Sequence, residues 1–135
     1  MRKGSQSAKT VSEEEILKFL FDRIDSVPHL EALLLIWNTR PKGWGAEEMA
    51  ARLFVQPPQV RSILDDLFRR GLLTRGESAA YCYASSPEND SIVAAVAEAY
   101  RTDLIRISTV IHSKASSGVI EFARAFKFTR KRKPR

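Results

Sequence analysis

Cys82, His29 and His112 are the residue types from which this 135-residue chain would have to build a nucleophile, a proton shuttle or a metal site. They are too few and too scattered for any of these. One cysteine excludes a CxxC pair, and the chain contains no HExxH, no GxSxG and no glycine-rich phosphate loop. His29, near a helix start, is expected to be a surface or capping residue. Cys82 alternates with Tyr81 and Tyr83 on a predicted strand and reads as a small inert core thiol. Trp37 and Trp44 read as packing residues. No enzyme, catalytic residue, metal or cofactor is expected. What remains are side chains that recognise by hydrogen bond and charge: amides, hydroxyls and guanidinium groups can match planar polar edges and anions without making or breaking bonds.

The elements that must hold these side chains follow from apolar spacing. Val60, Leu64 and Leu67 recur at helical intervals from Pro57, where a first-turn proline costs no hydrogen bond, to Gly71, a glycine suited to the left-handed turn past a C-terminus. With those three buried, a rotation of about 100° per residue puts Pro58, Ser62, Asp65 and Arg69 on the outward face, with Arg61 and Asp66 beside them. Upstream, Glu47 to Phe54 predicts a short helix with its acids at the positive end of the dipole, and Val55-Gln56 is the turn between the two. Downstream, Leu72 to Arg75 and Ala80 to Ala84 predict two strands joined by Gly76-Glu77-Ser78-Ala79.

Two helices precede this unit. Ser12 and Glu15 form the signature of a capping box ahead of Ile16, Leu17, Leu20, Phe21 and Ile24, predicting a helix over 13–24. Ser26 and Pro28 open a second, running to Trp37 and apolar enough to be buried on most sides. After the hairpin, Ser86-Pro87 begins a long helix whose apolar positions Val93, Ala97, Tyr100, Leu104, Ile107 and Ile111 alternate spacings of four and three. Such a seam suits a two-fold contact between copies; packing within one chain is the alternative. A last short amphipathic helix is expected around Val119, Phe122, Ala123 and Phe126.

Charge is unevenly placed. The chain carries +6 overall, with an isoelectric point near 9.8. Ten of its 22 basic residues lie in 1–9 and 124–135, which hold no acid, so residues 10–123 carry 12 basic and 16 acidic residues, or −4. The basic ends suit a polyanion and the body does not. No run approaches the roughly 20 apolar residues that span a bilayer, and nothing implies an oxidising compartment, so no membrane association and a cytoplasmic location are expected.

From Leu30 to Tyr83 the chain resembles the winged helix-turn-helix DNA-binding domains of bacterial transcription regulators, most closely the MarR-like group. The carrying residues are Glu47-Glu48-Met49-Ala50 with Leu53, and Val60 through Arg75. The resemblance implies a mainly α fold with a small β-hairpin wing and flanking N- and C-terminal helices. It implies a dimeric transcription regulator that places the helix over 57–70 in the major groove of double-stranded DNA. Gln59, Arg61 and Ser62 would then meet base edges, and Arg69 and Arg75 phosphates. Arg130, Lys131, Arg132 and Lys133 would add nonspecific phosphate contacts. The expected organisation is a disordered basic start over 1–11, a winged domain with its leading helix over 12–84, C-terminal dimerisation helices over 85–127 and a basic tail over 128–135.

Four departures from the family's pattern stand out. Pro57 and Pro58 remove two N–H donors from the helix start, Asp65 and Asp66 repel phosphates, Glu77 occupies a hairpin tip where the family often has a base, and Phe54 stands where many such motifs carry glycine. The alternative function is a winged helix that docks a protein partner without sequence-specific DNA binding.

Overall fold

The computed structural model describes residues 10–114. The expected helix around 119–126 and the basic tail with Arg130, Lys131, Arg132 and Lys133 lie outside the described residues, as do residues 1–9 of the basic start. The elements run α1 (Glu13–Arg23), α2 (Val27–Asn38), α3 (Ala46–Leu53), α4 (Pro57–Arg69), β1 (Leu73–Arg75), β2 (Tyr81–Tyr83), α5 (Pro87–Thr102) and α6 (Leu104–Lys114). The strands form one antiparallel hairpin with Leu73 opposite Tyr83 and Arg75 opposite Tyr81. Trp44 extends it by two backbone hydrogen bonds to Tyr81, of 2.8 and 2.9 Å.

Local chemistry sets the helix starts. The Ser12 hydroxyl accepts the Glu15 N–H at 3.1 Å and the Glu15 carboxylate accepts the Ser12 N–H at 2.8 Å, completing the capping box. Ser26 caps α2 with Pro28 in its first turn, and Ser86 caps α5 by accepting from the Asn89 N–H. At the other end of α4, Gly71 adopts φ +80, where a side chain would be strained.

Helix α2 is the centre of the molecule. Leu30, Ala32, Leu33 and Ile36 are fully buried, and α3, α4, β2, α5 and α6 pack around it. From α4, Val60, Ile63, Leu64 and Leu67 enter the same core, continued by Leu72 and Leu73 into the hairpin. Asn89 secures the hairpin's base by donating to the carbonyls of Gly71 and Ala84.

Three expectations need correction here. The first concerns α1, where Phe19 turns inward and Phe21 outward. Leu20 and Ile24 are fully buried, the two phenylalanines flank Leu20 on opposite sides, and only the Phe19 side is covered.

The second concerns the long helix, which is two helices. Asp103 leaves the helical region (φ −146, ψ 61), its N–H still bound to the Ala99 carbonyl while its own carbonyl receives the Ile107 N–H. The break turns Ile107 and Ile111 back against α1, burying them in their own chain. Glu13 of α1 pairs with Arg106 across this contact. Continuous apolar spacing hid the bend because neither glycine nor proline marks it.

The third is Cys82, which is half-buried rather than in the core, its Sγ lying where a Cβ on Gly43 would come within 3.0 Å.

Candidate nucleic-acid interface

Helix α4 presents its outer face to solvent at the front of the hairpin. Gln59, Arg61, Ser62 and Arg69 are all exposed on it, and Arg75 is exposed on β1. The fold therefore brings the five predicted recognition residues to one helix and the strand that follows it. They differ in how far they are already engaged. Arg61 lies 3.6 Å from Glu47 of α3, a loose exposed pair. Arg69 is held twice, by Asp65 at 3.0 Å and by Asp66 at 2.7 Å. Arg75 makes no ion pair among the described residues and stacks over Tyr81, 5.1 Å from its ring centre. Gln56, Gln59 and Ser62 make no side-chain hydrogen bond among the described residues.

The start of α4 has little anion-binding capacity. Gln56 offers no side-chain cap, Pro57 and Pro58 have no N–H, and the Val60 N–H is spent on the Gln56 carbonyl at 3.0 Å. Only the Gln59 N–H remains open in the first turn. Ahead of it stands Phe54, in the left-handed region at φ 59 and ψ 44 and 95% exposed. At the wing, Ala79 also has positive φ (68), and its N–H closes the turn onto the Gly76 carbonyl.

The inner end of α4 is anchored by a polar group that the sequence did not disclose. His29 is 8% exposed, against the expectation of a surface residue. Its Nε2 lies 2.9 Å from Asp66 Oδ2 and its Nδ1 2.6 Å from Ser26 Oγ. The Asp66 carboxylate can only accept, so Nε2–H donates to it, and in the neutral ring Nδ1 then accepts the Ser26 hydroxyl proton while the Ser26 oxygen accepts the His29 backbone N–H. A serine, a histidine and an aspartate thus stand in a row, but the hydroxyl is committed to capping α2.

Asp25 brings a third potential metal-ligating group within 4.8 Å. Both ring nitrogens, however, are bound, Asp66 also holds Arg69, and Asp25 holds Arg70 at 2.9 Å. Nearby, Arg23 donates to the Arg70 carbonyl and Arg70 to the Arg23 carbonyl, each at 2.8 Å. Each guanidinium satisfies a carbonyl at the other helix's C-terminal end, where positive charge is favoured by the dipole.

Behind the interface, the α2–α3 loop is fixed by aromatic contacts. The Arg40 guanidinium sits 3.6 Å over Trp37, which meets Tyr83 edge-on at 5.0 Å. Tyr83 donates to Asp90 at 2.7 Å. Burial first, and this bond second, raise the Tyr83 phenol above its ordinary range; the same bond holds the Asp90 carboxyl below its own.

The six seam residues separate. Val93, Ile107 and Ile111 are buried in their own chain, Ala97 and Tyr100 line a crevice between α2, α3 and α5, and Leu104 is 52% exposed beside Ile105 at 76%. Tyr100 donates to Glu31 across that crevice at 3.0 Å; burial first, then this carboxylate, raises its phenol's pKa.

Six described helices around a two-stranded hairpin, with α3 and α4 joined by a tight turn, make this a winged helix-turn-helix protein. Solved structures of that class superpose on most of the chain. Sco5413 of Streptomyces coelicolor, a MarR family transcriptional regulator, matches with a TM-score of 0.52 at 17% identity, over 93% of this chain and 85% of its own. A mutant MepR from a multidrug-resistant clinical isolate of Staphylococcus aureus matches with a TM-score of 0.50 at 14% identity, over 87% of this chain and 84% of its own. The shared feature is the MarR-like fold. No protein-family model matches the chain, and no curated protein matches it in sequence. Among the described residues no helix is long and apolar enough to cross a membrane.

Proposed function

We propose that this protein is a transcription regulator that binds double-stranded DNA by laying the outer face of α4 in the major groove, with β1 and the hairpin along the backbone. The observation that carries the reading is the free first half of α4. Gln59 and Ser62 are exposed and unengaged on a helix anchored from behind, in the fold of a known regulator family. A loose set of ion pairs keeps the acidic groups from dominating: Arg61 offsets Glu47, Lys42 offsets Glu48 at 2.9 Å, and Arg69 offsets Asp65 and Asp66. The working partner is DNA, not a substrate to be transformed, and the reading requires no cofactor.

Such a helix reads only a few base pairs, so two copies bound about one duplex turn apart would multiply a weak readout. The dimer contact in this reading lies at the α5–α6 junction, where Leu104 and Ile105 are exposed. Replacing both by glutamate should yield a monomer by sedimentation while leaving each subunit folded.

The test is selection of the full chain against random duplexes at moderate salt, repeated at higher salt. A consensus that survives the higher salt requires base readout, and a uniform loss indicates charge alone. Truncation after Ala123 separates body from tail. Retained binding supports α4 as the reading element; binding that vanishes with the tail at every sequence overturns it.

A further inference from the structure

We infer that Phe54 is a specificity-determining residue that packs on thymine methyl groups, so that α4 reads A·T rather than G·C base pairs; this rests on the DNA-binding reading above. Phe54 is an anomaly on both counts that a folded chain ordinarily avoids. A non-glycine residue at φ 59 sits where its Cβ crowds the backbone, and a phenyl ring 95% exposed gains nothing from folding. Glycine would fit the turn without either cost. A strained, exposed aromatic at the turn of a reading motif points to a role outside the chain's own stability.

Its surroundings decide what the ring meets. Within the next eight residues, Arg61 apart, the exposed side chains are Gln56, Pro58, Gln59 and Ser62, none of them charged and none hydrogen-bonded among the described residues. An amide matches the N6–H donor and N7 acceptor of adenine, and apolar surface matches the thymine C5-methyl, which lies on the same groove floor one pairing partner away. Of the two α4 guanidinium groups that could read guanine, Arg69 is held by Asp65 and Asp66, and Arg61 has the loose pair with Glu47. Phosphate capture at this helix start is weakened by Pro57 and Pro58. A nose of aromatic, proline and amide groups, with Arg61 as its one charged neighbour, is therefore matched to adenine edges and thymine methyls.

The experiment uses the full chain and the duplex it selects from a random pool, synthesised once with thymine and once with deoxyuridine, which lacks only the methyl. Wild-type protein should select A·T pairs at the central half-site positions and bind the uracil duplex about four-fold more weakly per contacted methyl, the value of one buried carbon. Phe54→Gly should unfold at the same temperature as wild type or higher. It should bind the thymine duplex no better than wild type binds the uracil one, and it should not distinguish the two. Phe54→Asn, which tolerates the same φ, should behave alike and guards against an effect of added chain freedom.

A consensus of G·C pairs overturns the inference and leaves DNA binding intact, as does an equal thymine preference in wild type and both variants. So does unchanged affinity in those variants, which would assign the ring to a protein contact. Selection of no duplex at all removes the DNA-binding reading and this inference together.

Discussion

From Gln56 to Ser62 the outward side chains of α4 meet solvent, with the loose Arg61–Glu47 pair as the exception, whereas from Asp65 to Arg70 every outward polar group is bound to a neighbour. One helix is thus divided into a half left open and a half tied to α1 and α2. The division has a physical basis. An interface that must form hydrogen bonds with a partner gains most from donors that lose none of their own on binding. A helix that must hold its angle needs its far end fixed by contacts that water cannot easily replace. Arg69 shows the cost of serving both ends: its two carboxylates keep it near the helix, so it is better placed to brace than to reach.

Substitutions in one half should act on stability and those in the other on recognition. The largest effect belongs to the core beneath both. Leu64→Ala, at a fully buried position, should lower unfolding free energy by about 2–5 kcal/mol, measured by urea titration. In the tied half, His29→Leu removes the donor to Asp66 and should cost about 1–3 kcal/mol by the same titration, with His29→Gln recovering part of it. A His29→Leu protein of wild-type stability would show that the buried pair does not anchor α4.

In the open half the pattern should reverse. Gln59→Ala should leave stability within about 0.5 kcal/mol and lose about 1–3 kcal/mol of discrimination at one base pair, read from competition between selected and substituted duplexes. Loss of stability without loss of discrimination would reassign Gln59 to structure. A smaller change is expected from Glu47→Gln, which frees Arg61 from a surface pair worth about 0–1 kcal/mol and should raise duplex affinity more at low salt than at high salt.

The smallest effect is a control outside α4, at the base of the hairpin. The Asp90 carboxyl is depressed by its bond to Tyr83, so the contribution is present above the ordinary carboxylate range and lost as pH falls through the lowered value. Tyr83→Phe should therefore flatten the acid limb of the stability curve, measured as urea midpoint against pH, without changing duplex binding.

Much of the scaffold was legible because it is written in local chemistry. Ser12 with Glu15, Ser26 with Pro28, and Gly71 each mark a helix end by a hydrogen bond or a backbone angle formed within a few residues. The buried positions Val60, Leu64 and Leu67 likewise follow from one helix period. What escaped depends on partners distant in sequence. His29 becomes a core residue because Asp66, 37 residues on, returns to receive its proton. Phe19 displaces Phe21 because α1 is covered on one side only, which no periodicity specifies. The bend at Asp103 was invisible for a different reason: the apolar spacing continues through it, and the force that breaks the helix is the gain from folding Ile107 and Ile111 onto α1. Phe54 was visible as a departure from glycine, yet its outward aim required the backbone angle.

The paired arginines at the rear have a mechanical consequence. Because Arg23 closes a carbonyl of α4's end and Arg70 closes one of α1's, neither rod can pivot at that point without releasing two bonds together. A displacement imposed on α1, which also grips α6 through Glu13 and Arg106, would reach the opposite end of the reading helix as a joint rotation of the two rods, not as a local adjustment.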